Sequence, residues 1–380
     1  MHARVFAQRR RALLLSTAAA LAAPATLRAQ PGRAATGRPI TVAQLFDSSP
    51  AQQDVSKDFL IGSRAAWQAI NAKGGLRGRP VNHLNVEVDG TPAGVRAALA
   101  TLRDDPGCVA LSGTAGAALA AETVSQLRHM GLPLAHAAPW LQNSGDEVDD
   151  RTFPIFAARQ EQIAHALRSL TVVGIREIGA VYASEADWRL YREDLERAAA
   201  SLGLRLQTYR TEGDLDRMGQ RLTPGTPAVL LFIGGTPELV QFTQGLEKQQ
   251  RQRYVIALAD VNLQTMQQMG GGRVTPVIAT QPVPMVTSSL PVVRAYRETL
   301  ARLFDEPPAA LSLAGFIAAR YTFEVLSEID GPITRPSALA AFQRRGALDV
   351  GGFRVSFDAR RRSASFVTQS MLTQDGRVVG

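Results

Sequence analysis

Cysteine is almost absent from this sequence, which has one such residue, Cys108, among 380. A single cysteine excludes an internal disulfide. Cys108 begins the apolar segment CVALSG, which is typical of a buried strand. We therefore expect an unreactive thiol in the core rather than a reactive one.

The motifs of common enzyme classes are absent too. The sequence contains no G-x-G-x-x-G dinucleotide loop, Walker A loop, G-x-S-x-G elbow or H-E-x-x-H motif. Four histidines follow the first 29 residues without the spacing of metal ligands: His83, His129, His136 and His165. Of these, His136 ends a predicted strand, a position from which a side chain can reach a ligand. We predict no enzyme, no cofactor and no metal site, although catalytic triads are recognised by geometry rather than by sequence.

Beyond the N-terminus, no apolar run approaches the roughly 20 residues that a membrane-spanning helix needs. Residues 1–29 have the pattern of a secretory signal peptide: a basic start at 9–11, an apolar stretch at 13–23 and a small residue at its end, Ala29. We place cleavage after Ala29, within a few residues. The segment RRALL fits a twin-arginine export signal, and an ordinary Sec signal with a basic head explains it equally well.

Removal of that segment takes away most of the net positive charge. It holds five of the 42 basic residues and none of the 34 acidic ones, which leaves 37 basic residues and a net charge of +3. No basic stretch interleaved with aromatic residues remains to indicate nucleic-acid binding. We interpret the basic cluster at 360–362 as a solvated turn. With no cysteine directly after the leader to carry a lipid, we expect a soluble protein in the periplasm.

Apolar residues recur along the chain with two alternating periods. ITVAQLF at 40–46 predicts a strand, and apolar residues at helical spacing predict a helix to about residue 71. Gly74 or Gly75 should end that helix in a left-handed conformation, and Pro80 prevents its continuation before the strand VNHLNVEV. The strand–helix unit repeats to about residue 285, and three helices and two or three strands follow. This pattern predicts an α/β fold with mostly parallel sheets flanked by helices, in two lobes.

Two predicted strand-to-helix turns have a composition suited to ligand binding. LSGTAGAAL at 111–119 is rich in small residues, and FIGGTPEL at 232–239 places Thr236 as a possible N-cap before Pro237. Ligands of doubly wound sheets bind beyond the carboxyl ends of the strands, where helix N-termini favour anions. Turn chemistry explains either segment alone, and the presence of both in a two-lobed protein favours ligand contact.

The segment INAKGGLRGRPV at 70–81 resembles the junction after the first helix in periplasmic solute-binding proteins of the leucine/isoleucine/valine-binding family, which serve ABC transporters. Four more segments are similar to family segments: VDGTPAGVRAA, VALSGTAG, SLPVVRAYRETL and LDVGGFRVSF. The resemblance covers 38–380. It implies a type I periplasmic-binding fold, with three crossovers between lobes that close on a small solute. The implied lobes are 38–157 with 286–347, and 158–285 with 348–380.

The resemblance also implies where the ligand binds, and several of these positions depart from the family pattern. The family's ligand loop corresponds to Ser112, Gly113, Thr114, Ala115 and Gly116, whose hydroxyls and backbone N–H groups would hold a carboxylate.

Five further positions complete the implied site. Asp54 stands where an aromatic residue is usual, and Gln160 and Thr236 replace tyrosines. Trp140 lies in the second ligand loop, where it would form an aromatic wall. Asp260, shifted by one position, would bind an ammonium group. An amino-acid zwitterion needs acceptors and donors for both charges, because a buried unpaired charge is costly. An organic or aromatic acid is therefore expected as readily as an amino acid.

The expected function is that of a monomeric solute-binding protein of an ABC importer, which captures a small carboxylate-bearing ligand by lobe closure. Two alternatives from other classes stay open. One is a sensory module that passes its closed state to a membrane receptor, and the other is an exported enzyme on the same scaffold, which would convert the bound compound.

Overall fold

The structure is a computed structural model that describes residues 39–49, 52–146, 148–210, 213–363, 366–373 and 378–380. The predicted signal peptide lies outside the described residues and stays a prediction. The helices are α1 (Gln53–Ala72), α2 (Pro92–Asp104), α3 (Ala117–His129), α4 (Arg159–Val172), α5 (Glu185–Ser201), α6 (Leu215–Arg221), α7 (Thr236–Leu246), α8 (Leu263–Gln268), α9 (Pro291–Leu303), α10 (Ala310–Ser327) and α11 (Arg335–Gln343). The strands are β1 (Ile40–Asp47), β2 (Val81–Val88), β3 (Cys108–Ser112), β4 (Ala135–Ala137), β5 (Thr152–Phe153), β6 (Glu177–Tyr182), β7 (Arg205–Arg210), β8 (Val229–Ile233), β9 (Tyr254–Ala257), β10 (Val277–Gln281), β11 (Leu348–Val350), β12 (Phe353–Val355), β13 (Thr368–Leu372) and β14 (Val378–Val379).

The strands form two sheets with the same internal order. The first is parallel throughout and runs β2-β1-β3-β4-β5. The second repeats this order as β7-β6-β8-β9-β10, and the antiparallel strands β13 and β14 extend it beyond β10. The predicted α/β fold with two mostly parallel sheets is therefore confirmed. In each sheet the order reverses beside the first strand of the set, and such a reversal opens a crevice at the carboxyl ends of the strands.

The chain passes between the two sheets three times, as predicted. It leaves the first sheet between β5 and α4, returns between β10 and α9, and leaves again between β12 and β13. Helices α9 and α10 then pack on α1, beside the first sheet. The hairpin β11–β12 shares its core cluster with this side of the molecule, through Val350, Phe353 and Val355. We therefore propose that 348–355 belongs to the first lobe instead of the second, and the other lobe boundaries stay a prediction.

Helix α1 approaches α10 so closely that backbone touches backbone. A Cβ atom on Gly62 would lie 1.7 Å from the carbonyl oxygen of Ser312, and one on Gly315 would lie 1.9 Å from the carbonyl oxygen of Phe59. Both distances are far below van der Waals contact, so these two positions exclude any side chain. The contact fixes the start of α1, which borders the cleft described below.

The end of α1 confirms the predicted helix stop. Gly74 and Gly75 both adopt positive φ angles, 101° and 68°, and the N–H of Gly75 donates to the carbonyl oxygen of Ile70. The turn that follows is tied by hydrogen bonds in both directions between Leu76 and Arg79, and β2 then begins at Val81. The glycines and proline of this junction therefore serve a tight helix-to-strand connection.

Some predicted boundaries are wrong. The apolar segments LPLAHA at 132–137 and TFPIFAA at 152–158 predict strands over their whole length, but the strands there are only three and two residues long. Pro133 and Pro154 flank the shortened strands, and proline has no N–H to donate to a neighbouring strand. The described residues of the C-terminal tail from Gly351 onward hold three short strands, β12, β13 and β14, in agreement with the predicted two or three.

The basic cluster at 360–362 is only partly a solvated turn. Arg360 and Arg361 are exposed, but Arg362 is 5% exposed, and one of its Nη atoms donates to the carbonyl oxygen of Leu141 over 2.8 Å. The backbone reverses at Arg361, where φ is 62°, and this reversal turns Arg362 towards the interior.

The thiol of Cys108 is buried in β3, as expected, and burial raises its pKa to about 11. A thiol with a raised pKa is a poor nucleophile at neutral pH. None of the described helices combines the length and the apolar character needed to cross a membrane.

Candidate ligand cleft

A cleft of about 240 Å³ lies between the start of α1 and the turns that follow β6, β8 and β9. Helix α1 follows β1, so the cleft borders the carboxyl ends of strands at the order reversal of each sheet. This is the position at which open α/β sheets bind ligands. The lining residues are Gln52, Asp54, Val55, Arg159, Ala183, Ser184, Asp187, Gly234, Gly235, Thr236, Pro237, Glu238 and Asp260.

Arg159 is the cation of the cleft, and it is held by two carboxylates. One Nη atom forms an ion pair with Asp260. The other lies 3.6 Å from Asp187 and donates to the hydroxyl of Tyr191 over 3.0 Å. The side chains of Arg159 and Asp260 are only 12% and 6% exposed, so water screens this pair weakly.

The titration of these groups follows from burial and from their partners. Burial opposes the positive charge of Arg159, but the carboxylates of Asp260 and Asp187, together with Tyr191, outweigh it and raise the pKa of the guanidinium. Burial also raises the pKa of Asp187, against the hydrogen bond from Ser184 and the charge of Arg159. The arrangement keeps Arg159 charged and engaged within the protein.

Two of the hydrogen bonds that join the first sheet's side of the molecule to the second lie beside the cleft. The indole Nε1 of Trp140 donates to Asp260 over 3.2 Å, and the side-chain amide of Asn262 donates to Asp58 on α1. Burial raises the pKa of Asp58 to about 6, although the bond from Asn262 lowers it. Both bonds lie close to the cleft, since Asp260 lines it and Asn262 follows two residues later.

The predicted ligand loop at 112–116 does not line the cleft. The hydroxyl of Ser112 is hydrogen-bonded to that of Thr322 over 2.7 Å, and that of Thr114 to His136 Nε2 over 2.8 Å. The N–H groups of Gly113 and Ala115 donate to backbone carbonyls of neighbouring strands. Gly116, at φ 111°, is the N-cap position of α3. The hydroxyls of Ser112 and Thr114 and the N–H groups of Gly113 and Ala115 are thus bonded to interior partners, so they serve the fold as a structural turn.

His136 is fully buried and does not reach the cleft. Burial lowers the pKa of His136 to about 3, as it does that of His83 on β2, where Arg64 adds to the effect. Both imidazoles are therefore neutral at physiological pH. No group of three or more metal-binding side chains occurs in the described part of the chain.

Of the other predicted positions, the structure brings Asp54, Thr236 and Asp260 together in the cleft. Trp140 is 1% exposed, and its ring packs on Phe59 and Phe156. It reaches the site only through its Nε1 atom.

Gln160 is not among the residues that line the cleft. Its side chain bonds the amide of Asn143 and the N–H of Ser144. Thr236 is the first residue of α7 rather than its N-cap, which is Gly235. The hydroxyl oxygen of Thr236 accepts the N–H of Asn262 over 3.0 Å, and this bond ties the turn after β8 to that after β9.

Sequence reasoning missed Arg159, Asp187 and Glu238. Each lies in the first turn of a helix. Acidic residues such as Asp187 and Glu238 are common there, because they interact favourably with the helix dipole. Arg159 has the opposite charge, for which the dipole offers no such reason. Position in the fold could have identified two of the three residues. Helices α5 and α7 follow β6 and β8, the two strands on either side of the order reversal in the second sheet. That strand order is a tertiary property.

The comparisons with known proteins agree with this architecture. A sequence model of the family described as "Periplasmic binding protein" matches residues 39–374. Among solved structures, an extracellular ligand-binding receptor from Verminephrobacter eiseniae ef01-2 superposes with a TM-score of 0.81 at 17% identity, covering 90% of this chain and 100% of that one. A comparison with curated proteins finds no match.

Two further solved structures have similar folds but are named for different ligands. A fatty acid ABC transporter substrate-binding protein from Thermomonospora curvata has a TM-score of 0.77 at 12% identity, covering 91% of this chain and 92% of that one. A branched-chain amino acid transporter substrate-binding protein from Streptococcus pneumoniae, in complex with isoleucine, has a TM-score of 0.71 at 15% identity, covering 90% and 98%. At these identities the likeness establishes the fold and leaves the ligand open.

Proposed function

Because the chain belongs to the periplasmic binding protein family, we propose that it captures a small solute between its lobes and delivers it to the permease of an ABC importer. The observation that carries this proposal is the cleft itself. It is lined from both lobes, by α1 on one side and by the turns after β6, β8 and β9 on the other. A solute bound there contacts both lobes only when they are close together, so binding favours closure.

The size of the cleft suits a small solute. Its volume of about 240 Å³ is below the ~300–1,000 Å³ that is usual for drug-sized ligands. The described cleft residues include no histidine, cysteine or serine–histidine pair that would suggest turnover. The protein would act in the periplasm as a monomer, after removal of the predicted leader.

We further propose that the ligand carries a carboxylate, and that this group binds at the start of α7 instead of the 112–116 loop. Gly234, Gly235 and Thr236 line the cleft there. Backbone N–H groups at a helix start attract anions. Arg159 is a poorer partner for the carboxylate, because Asp260 and Asp187 already occupy it.

A thermal-shift screen of the purified protein without its leader tests the proposal. The panel contains branched-chain, aromatic and basic amino acids, amides, amines, dicarboxylates and aromatic acids. A solute at 100 times its Kd adds about 2.7 kcal/mol to the free energy of unfolding, which gives a clear rise in Tm. We expect at least one such rise, with recovery of the solute unchanged. The absence of any rise, or conversion of the bound solute, would contradict a transport role.

A further inference from the structure

The charges that line the cleft do not balance. Four carboxylates face one guanidinium: Asp54, Asp187, Glu238 and Asp260 against Arg159. Asp187 and Asp260 are both within ion-pair distance of Arg159. The cluster of Arg159, Asp187 and Asp260 therefore has one more carboxylate than it has cations. Asp54 and Glu238 add two further carboxylates to the cleft.

Asp54 and Glu238 differ from the other two carboxylates in having no internal cation. Among the described residues, neither forms a hydrogen bond or an ion pair with another side chain. Both are half-buried. They also come from opposite lobes, since Asp54 lies in the first turn of α1 and Glu238 in the first turn of α7.

Acidic residues in the first turn of a helix need no ligand to explain them, because they interact favourably with the helix dipole. That explanation accounts for each residue separately. It does not account for the placement of both in one cleft, where lobe closure brings two negative charges towards each other and towards the Arg159 cluster. Like charges that approach in a partly desolvated space repel, and the repulsion opposes closure unless a cation lies between them.

We propose that the ligand has a net positive charge and that its cationic group binds between Asp54 of the first lobe and Glu238 of the second. This inference rests on the proposed function and names the class of solute that the same cleft takes, a small amine or a basic amino acid. The cationic group relieves the repulsion only in the closed state, so it couples ligand charge to lobe closure. A carboxylate on the same ligand would still bind at the start of α7.

A series of solutes with one carbon skeleton and different charge tests the inference by calorimetry. The probes are lysine, norleucine and 2-aminoadipate, with cadaverine as lysine without its carboxylate, and arginine, ornithine, putrescine and choline as further cations. We expect at least one cation to bind, lysine to bind at least tenfold more tightly than norleucine, and 2-aminoadipate not to bind. The association rate of the cation should fall as salt is added, because salt screens attraction by the cleft.

Two variants and a control locate the effect. Asp54→Asn and Glu238→Gln should each weaken cation binding about tenfold and leave norleucine unchanged. Glu298→Gln, an exposed carboxylate on α9 away from the cleft, should change neither. Thermal unfolding of all three variants without solute confirms that they fold.

The outcomes separate this inference from the proposed function. If norleucine or 2-aminoadipate binds as tightly as lysine, or if neither cleft variant changes the affinity for the cation, the inference is wrong and the transport role stands. If only neutral or anionic solutes of the wider panel bind, the inference is also wrong and the transport role also stands. If no solute of either panel binds, both fail.

Discussion

The indole nitrogen of Trp140 donates a hydrogen bond to Asp260 across 120 positions of sequence. Trp140 follows β4 of the first sheet and Asp260 follows β9 of the second, so the bond joins the two sides of the molecule next to the cleft. Asp260 is thereby held by Trp140 on one oxygen and by Arg159 on the other. With both carboxylate oxygens bonded inside the protein, Asp260 is held in a fixed position in the lining of the cleft.

Trp140→Phe should separate this bond from the packing of the ring. The phenyl group keeps contact with Phe59 and Phe156 but cannot donate to Asp260. We expect the free energy of unfolding in urea to fall by about 1.5–3 kcal/mol, the range for a hydrogen bond to a charged group. Trp140→Ala, which also leaves a cavity, should cost about 3–5 kcal/mol. Equal losses in the two variants would show that the hydrogen bond carries all the effect.

Arg159→Met should leave two buried carboxylates without their cation. The side chains of Asp187 and Asp260 are 21% and 6% exposed, and loss of one partner of a buried pair costs about 3–5 kcal/mol. Urea unfolding measures this loss. Adding Asp260→Asn to Arg159→Met should restore part of the stability, because it removes one unpaired charge.

Arg189→Met is the matched control for Arg159→Met. Arg189 forms an exposed ion pair with Glu185 at 3.0 Å, and its side chain is 73% exposed. Such a pair contributes roughly 0–1 kcal/mol. A loss in Arg159→Met no larger than that in the control would contradict the view that the cleft cluster is buried and stabilising.

Asp58 should make stability depend on pH in an unusual direction. Burial raises the pKa of Asp58 to about 6, above the ordinary value of 3.8 for an aspartate, so the folded protein binds this proton more tightly than the unfolded chain. The contribution of Asp58 to the free energy of unfolding therefore rises as pH falls from above 6 towards 4. Lys57, Glu306 and Asp54 are the charged groups that act on it besides the amide of Asn262.

The test compares the wild type with Asp58→Asn from pH 4 to pH 8. The lowered pKa values of His83 and His136 make the folded state less stable as pH falls through part of this range. Both proteins contain these histidines, so the difference between the two proteins reports on Asp58. Relative to the variant, the wild type should gain on the order of 3 kcal/mol between pH 8 and pH 4. A difference between the two proteins that is constant with pH would rule out a raised pKa at Asp58.

Gly315→Ala should be strongly destabilising although alanine favours helices. The added methyl group would lie 1.9 Å from the carbonyl oxygen of Phe59, so α1 and α10 must separate. We expect a loss of about 3 kcal/mol or more in urea, at or above the upper end of ordinary overpacking. Gly346→Ala is the control, since a Cβ there meets no atom within 4 Å. Similar stability of the two variants would mean that the helices can move apart at little cost.

The sequence by itself determined the elements and the type of fold. Local apolar periodicity marks helices and strands, and this sufficed for β2 at 81–88 and for the helix stop at Gly74 and Gly75. Repetition of the strand–helix unit then implied parallel sheets, because a crossover helix joins parallel neighbours. These inferences succeed because each depends on residues close together in the chain.

Only the tertiary structure decided which of the polar residues meet. Asp54, Arg159, Asp187, Glu238 and Asp260 come from five separate segments, and strand order alone brings them into one cleft. The loop at 112–116 has the composition of a ligand loop, but its hydroxyls and two of its N–H groups bond to interior partners far away in sequence, such as Thr322. A hydrogen-bonding group can serve a ligand or the fold, and the choice depends on neighbours that the local sequence does not contain.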